Sequence, residues 1–185
     1  VICDDVYNRL VYTSDYERFA VRHPALREQT VVIDSFSKPW AMTGWRLGWL
    51  AAAVPVEAEI AKAHQYLVSS AVSFEMDAAS YALGVDPAPM LETYRRRRAR
   101  VVEALASMGL EVTGPKGAFY VFPSITGTGL SSEEFCIRAI REAGVGLVPG
   151  DCFGAEGYVR LSYCVSDEQL DEGLARLAGF VASLG

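Results

Sequence analysis

Three short, nearly continuous apolar runs constrain this chain's fold more than anything else in it: Val1 to Cys3, Val31 to Asp34 within TVVIDSFSK, and Trp45 to Ala53 in WRLGWLAAA. Runs of this length, separated by polar segments, suit strands covered on both faces, as in an α/β sheet. From Pro55 the pattern becomes helical through VEAEIAKAHQYLVSS and SFEMDAASYAL, and then in a long segment from Pro89 to Met108 that stops at Gly109. The first sheet therefore ends before Pro55, and the long helix is a connector. Val1 to Cys3 reads as a strand already under way, with no initiator Met and no turn residue ahead of it, so the chain is expected to begin inside a domain.

From Leu110 the texture changes again. LEVTGPKGAFYVFPSI predicts two strands around a Gly/Pro turn. Ser131-Ser132-Glu133-Glu134 has capping-box spacing and opens a helix through FCIRAIREAG, and Ser166-Asp167-Glu168-Gln169 does the same for the last helix. Between these helices, GVGLVPG and GYVRLSYCV are strand-like. The order strand, strand, helix, strand, strand, helix predicts an α+β unit with its helices on one side. The expected organisation is α/β for residues 1–109, including the connecting helix, and a small α+β domain for residues 110–185.

Composition limits the function classes. With 51% hydrophobic and 22% charged residues, the chain should fold around a real core. A net charge of -6 gives no general attraction to phosphate backbones, and the one dense basic run, YRRRRAR from Tyr94 to Arg100, lies in a helical pattern that predicts a solvated helix face. No nucleic-acid partner is expected. No apolar run approaches bilayer length and no signal peptide opens the chain, so a soluble, cytoplasmic protein without a membrane partner is expected. Cys3, Cys136, Cys152 and Cys164 lack CxxC spacing, so they predict no metal site and no disulfide framework and read as small apolar residues. His23 and His64 have no partner signature.

The segment with most chemistry is SFSKPWAMTGWRLGW, Ser35 to Trp49, which follows an apolar strand and gathers hydroxyls, a lysine, three tryptophans, two glycines and an arginine. Desolvation by aromatic walls and a nearby like charge both favour a neutral lysine amine, the form that Schiff-base chemistry requires. Arg46 offers a forked donor set for a phosphate, and Ser35 and Ser37 can add hydroxyls. Gly44 and Gly48 are expected to let the backbone approach a ligand.

This segment resembles the lysine region of the aspartate-aminotransferase superfamily, the fold-type I pyridoxal-phosphate enzymes of classes I and II. The resemblance implies that Lys38 holds pyridoxal 5'-phosphate as a Schiff base and later moves a proton at the substrate carbon, with Ser35 and Arg46 on the cofactor phosphate. DDVYNRLVY resembles a second family segment, and that likeness assigns Asp4 to the ring nitrogen and Tyr7 to the phenolic oxygen. Asp5 is set aside because successive strand residues face opposite ways and the family spacing selects Asp4. In YVRLSYCVS, a charge within an apolar strand points to either an internal salt bridge or a ligand. The family likeness gives Arg160 the substrate α-carboxylate. PKGAFYVFP also resembles a family segment, in which Gly117 and Phe119 line the pocket or Phe119 joins the core, and GDCFG reads as a turn near the site.

The likeness covers nearly the whole chain and matches the second half of such an enzyme: the C-terminal part of the cofactor-binding large domain, a mostly parallel sheet with helices, followed by the small domain. It implies amino transfer between an amino acid and a 2-oxo acid in a homodimer. The family's phosphate loop, stacking aromatic ring and asparagine have no candidate here, so the chain is expected to be part of a longer one and unstable in isolation. A β-lyase, a synthase on the same scaffold, and the aminotransferase-like sensing domain of a transcriptional regulator are the alternatives.

Overall fold

The first two predicted strands are rich in Val and Ile, residues suited to a pleated, partly buried surface, and both form. In the computed structural model, which describes residues 1–184, β1 (Ile2–Asp4) runs parallel to β2 (Val31–Ser35), with Ile2 opposite Val31 and Asp4 opposite Ile33. Between them lie α1 (Phe19–Arg22) and a 3-10 turn over Pro24–Gln29. The third strand doubles back: β3 (Gly48–Ala51) is antiparallel to β2, with Gly48 opposite Ser35. This sheet, ordered β1-β2-β3, is mixed.

Trp45, Arg46 and Leu47, expected within a strand, instead finish the loop that reverses the chain. Thr43–Trp45 forms a 3-10 turn and Arg46 adopts a left-handed conformation at φ 54°. The cover expected on both strand faces is incomplete in the described residues, since β3 is exposed along its length and Ile33, Trp49 and Leu50 are 43%, 37% and 38% accessible. The helical period after Pro55 is met by α2 (Val54–Leu67) and α3 (Ser73–Ala82). Pro55 sits in the first turn of α2, where a missing N–H leaves no helical bond unmade. Phe36, Leu47, Ala79 and Ala82 form a small core, flanked by Trp40, Met42 and Ala71.

The chain divides into two units, Val1–Leu91 and the part from Glu92 onward, and the division falls within α4 (Ala88–Ser107). In the second unit come β4 (Tyr120–Val121), α5 (Ser132–Arg138), a π turn over Ala139–Ala143, β5 (Val148–Pro149), β6 (Val159–Ser162) and α6 (Asp167–Ala182). The sheet order is β4-β6-β5, antiparallel throughout. Of the two strands expected between Leu110 and Ile125, only the second forms. The preceding segment is held as a loop: Arg98 Nε donates to the Pro115 carbonyl at 2.6 Å, and Ser124 N donates to the Glu111 carbonyl at 2.8 Å.

The helix starts follow their sequence signals. Ser131 accepts from the Glu134 amide, and Ser166 and Gln169 form the full reciprocal box at the start of α6. The apolar stripe of α6 buries Leu170, Leu174, Leu177 and Phe180.

Two expectations need correction here. The basic run on α4 is only partly a solvated face: Arg95 and Arg96 are exposed, but Arg97 Nε donates to Asp167 at 2.8 Å and Arg100 pairs with Asp167 and Asp171. The guanidinium groups are used because α6 presents Asp167 in its first turn and Asp171 one turn further on. Of the cysteines, Cys136 is buried and its thiol is pushed up to about 11 by that burial, whereas Cys152 and Cys164 are exposed and not core residues. Among the described residues no helix is long and apolar enough to cross a membrane, and no group of three or more His, Cys, Asp or Glu is placed to hold a metal ion.

Candidate active site

Parallel strands end at the same edge of a sheet, and that edge is where α/β folds gather ligand-binding residues. Here Asp4 ends β1 and Ser35 ends β2, so the two loops that follow bring Asp4, Tyr7, Ser35, Ser37 and Lys38 to one edge. Lys38 is half-buried, with Nζ 5.9 Å from the centroid of the Tyr7 ring. The buried Phe36 and the half-buried Trp40, whose ring centroids are 5.3 Å apart, pack beside it in sequence.

The two serines are linked. Ser35 Oγ donates to Ser37 Oγ at 2.8 Å, and the Ser37 amide donates back to Ser35 Oγ at 3.0 Å. The Arg46 side chain is exposed and anchored to its own loop by a 2.9 Å bond from one terminal nitrogen to the Thr43 carbonyl. No other hydrogen bond from its guanidinium occurs within the described residues. Gly48 has a packing role that the sequence did not suggest: a Cβ there would lie 2.7 Å from the Asp34 carbonyl oxygen, so this glycine lets β3 close on β2. Gly44 has open space around its Cβ position.

The adjacent acids differ in environment. Asp4 is exposed and accepts from the Val6 amide at 3.3 Å. Asp5 is buried, and its Oδ2 has no hydrogen-bond partner among the described residues. Burial pushes the Asp5 carboxyl above its usual range; Arg18 opposes this, while Asp34 and Asp4 reinforce it.

Sequence reasoning missed the polar cluster underneath. The Asn8 side-chain amide donates to Asp34 Oδ2 and to the Asp5 carbonyl, each at 2.6 Å, and its oxygen accepts from Arg18 at 2.7 Å. The available signal was Asp34 at the end of VVID, because a carboxylate within an apolar strand needs partners.

In the second unit Arg160 lies on β6 with its guanidinium carbon 4.5 Å from the Tyr120 centroid and 4.6 Å from the Phe153 centroid. Of the two readings its sequence allows, the internal salt bridge does not form: its guanidinium makes no hydrogen bond or ion pair among the described residues. Phe119 is 6% exposed and packs on Tyr94 and Tyr120, which places it in the core, and Gly117 is half-buried. The Gly150–Phe153 turn delivers Phe153 to Arg160, a contact that the sequence did not reveal.

The sequence pattern that defines "Aminotransferase class I and II" matches residues 1–177. The chain is 45% identical to a probable N-acetyl-LL-diaminopimelate aminotransferase of Bacillus subtilis, over 98% of this chain and 47% of that protein. It is 40% identical to an aspartate aminotransferase of Pyrococcus horikoshii, over 96% of this chain and 47% of the relative. The crystal structure of an aromatic aminotransferase from Pyrococcus horikoshii superposes with a TM-score of 0.93 at 38% identity, over 99% of this chain and 51% of that one. The chain thus spans about half the length of the curated relatives it matches. It belongs to the class I and II aminotransferases, a pyridoxal-phosphate-dependent family.

Proposed function

We propose that this chain carries the lysine-bearing part of an aminotransferase that moves an amino group between an amino acid and a 2-oxo acid. The observation that carries the reading is the half-buried Lys38 amine set against Tyr7 at the strand edge that also holds Asp4 and Ser35. The donor set fits pyridoxal phosphate. An amine suits an aldehyde, an exposed carboxylate suits a ring N–H, and linked hydroxyls with a forked cation suit a phosphate. When bound, pyridoxal phosphate supplies an electron sink for negative charge developing at the substrate α-carbon.

Lys38 Nζ is the covalent anchor and, once released, the base that takes and returns the proton at the α-carbon. The Asp4 carboxylate keeps the ring nitrogen protonated, and the Tyr7 hydroxyl donates to the phenolic oxygen. Ser35 and Arg46 hold the phosphate. Arg160 is the candidate for the substrate α-carboxylate, supported by a guanidinium set against two rings with no acid partner among the described residues.

Residues 1–109 are then part of a cofactor-binding large domain and residues 110–185 a small one. The intact protein is proposed to be a cytoplasmic homodimer, which sedimentation of the full-length protein tests. The function is tested by purifying that protein and recording its visible absorbance with pyridoxal phosphate, then assaying transfer from amino donors to oxo-acid acceptors. The expected result is a lysine-linked absorbance band that Lys38→Ala abolishes. A band that survives Lys38→Ala overturns the assignment, and release of ammonia and pyruvate in place of transfer overturns the reaction.

A further inference from the structure

Asn8 follows Tyr7 directly, and its side chain does more than fill space. The Asn8 backbone amide donates to the Asp5 carbonyl at 2.8 Å, closing a turn over Asp5–Asn8 that carries Tyr7. The side-chain amide donates to the same carbonyl at 2.6 Å and also reaches across to Asp34 Oδ2 at 2.6 Å. Its oxygen accepts from Arg18 at 2.7 Å, so both donors and one acceptor site of the amide are used. Asp34, on β2, is 6% exposed, and its other oxygen accepts from the Ser35 amide at 2.7 Å. One chain of bonds therefore runs from the Tyr7 turn through Asn8 and Asp34 to Ser35, and on to Ser37 at 2.8 Å.

Within that chain of bonds the step from Asn8 to Asp34 is the one that crosses from the first segment to the second; ring contacts also cross, with Lys38 Nζ 5.9 Å from the Tyr7 centroid and the Arg9 guanidinium carbon 5.6 Å from the Trp40 centroid. β1 and β2 are joined by backbone bonds as far as Asp5, whose amide donates to the Ile33 carbonyl at 2.8 Å; beyond it the two loops leave the sheet. The Asn8–Asp34 bond is a directional hydrogen-bonded tie past that point. A carboxylate as buried as Asp34 needs donors, and a bond made to it is short, directional and costly to lose.

We infer that Asn8 is a positioning residue: through Asp34 it fixes the turn bearing Tyr7 against the loop bearing Ser35 and Lys38. This rests on the function proposed above, because the atoms being positioned are those assigned to the cofactor.

The test uses full-length protein loaded with pyridoxal phosphate and compares Asn8→Asp, Asn8→Ala and the double variant Asn8→Asp/Asp34→Asn. Asn8→Asp sets two carboxylates against each other and removes both donors. The double variant restores a donor and an acceptor with polarity reversed, and leaves Arg18 an oxygen to bond. Three readouts are taken: cofactor affinity from tryptophan quenching, the pH midpoint of the visible band, and kcat separately from KM.

For Asn8→Asp we expect full cofactor occupancy at saturation, a displaced pH midpoint, and kcat lower by about 10- to 100-fold, the scale of an ångström-sized misplacement. The double variant should return the midpoint toward that of the wild type, which a merely stabilising tie would not do. If Asn8→Asp does not fold, Asn8→Ala introduces no like charge and carries the same comparison. Midpoint and kcat unchanged in the folded single variants, or a double variant no nearer to wild type than Asn8→Asp, overturns the inference. A wild-type protein that takes up no pyridoxal phosphate overturns the proposed function instead.

Discussion

The guanidinium carbon of Arg160 lies 4.5 Å from the centroid of the Tyr120 ring, on the neighbouring strand. The Phe153 ring centroid lies 4.6 Å from the same carbon, so the group rests against two aromatic rings before any anion arrives. Arg160→Lys keeps the charge but loses the fork and the stacking. A hydrogen bond to a charged group contributes roughly 1.5–3 kcal/mol, so loss of one arm of the fork should raise KM for an amino acid by about 10- to 100-fold. Steady-state kinetics with an amino acid and with the matching amine lacking its carboxylate check this. An equal effect on both substrates would remove Arg160 from the carboxylate.

Tyr7 and Lys38 make a second expectation. Tyr7→Phe keeps the ring near Lys38 Nζ and removes only the hydroxyl. Loss of one donor aimed at developing charge costs about 100-fold in turnover, so kcat should fall on that scale while cofactor content, read from absorbance, stays at one per chain. Unchanged kcat would show that the hydroxyl has no part in the reaction.

Asp167 predicts a pH effect at the start of α6. The hydrogen bond from Arg97 holds its carboxyl below the usual value of 3.8. A carboxyl depressed in the folded state contributes stability above its unfolded value and loses it as pH falls through the folded one. Asp167→Asn should therefore lower hydrogen-exchange protection of α6 amides at neutral pH, and the gap from wild type should close well below pH 3.8. A gap that persists in acid would trace the effect to something other than charge.

Gly48 is required by packing. An added Cβ would meet the Asp34 carbonyl oxygen at 2.7 Å, and backbone cannot step aside as a side chain can. Gly48→Ala should destabilise the first unit by about 1–3 kcal/mol through overpacking. Denaturant unfolding followed by tryptophan fluorescence measures it, because Trp49 is the next residue along the strand.

Much of the fold was legible because it rests on local signals. The Val/Ile runs, the change of period after Pro55, and the serines at both cap positions are read by the same forces that form β1, β2, α2, α5 and α6. The antiparallel turn of β3 was not legible: Trp45 to Leu47 are apolar enough for a strand, and only the geometry of closing the loop forces Arg46 to a positive φ. In the candidate site, the residues that carry a motif were named in advance, whereas Asn8, Arg18 and Phe153 were not. Asn8 acts through Asp34, 26 residues away, Arg18 and Phe153 act across loops whose path no local signal gives, and a single asparagine or phenylalanine is ordinary in a loop.

The loop from Ser35 to Gly48 is laced shut along its length. The Phe36 amide bonds the Leu47 carbonyl at 3.3 Å, the Met42 amide bonds the Phe36 carbonyl at 3.4 Å, and Ala41 and Arg46 are held at φ 54°. Left-handed residues other than glycine cost roughly 1–2 kcal/mol each, and this loop meets that cost while folding. A ligand arriving at Lys38 thus orders little that is not already ordered. Its association should show a small entropic penalty and a heat capacity change set by the surface covered, the calorimetric profile of a rigid cup rather than of a flap that folds around its guest.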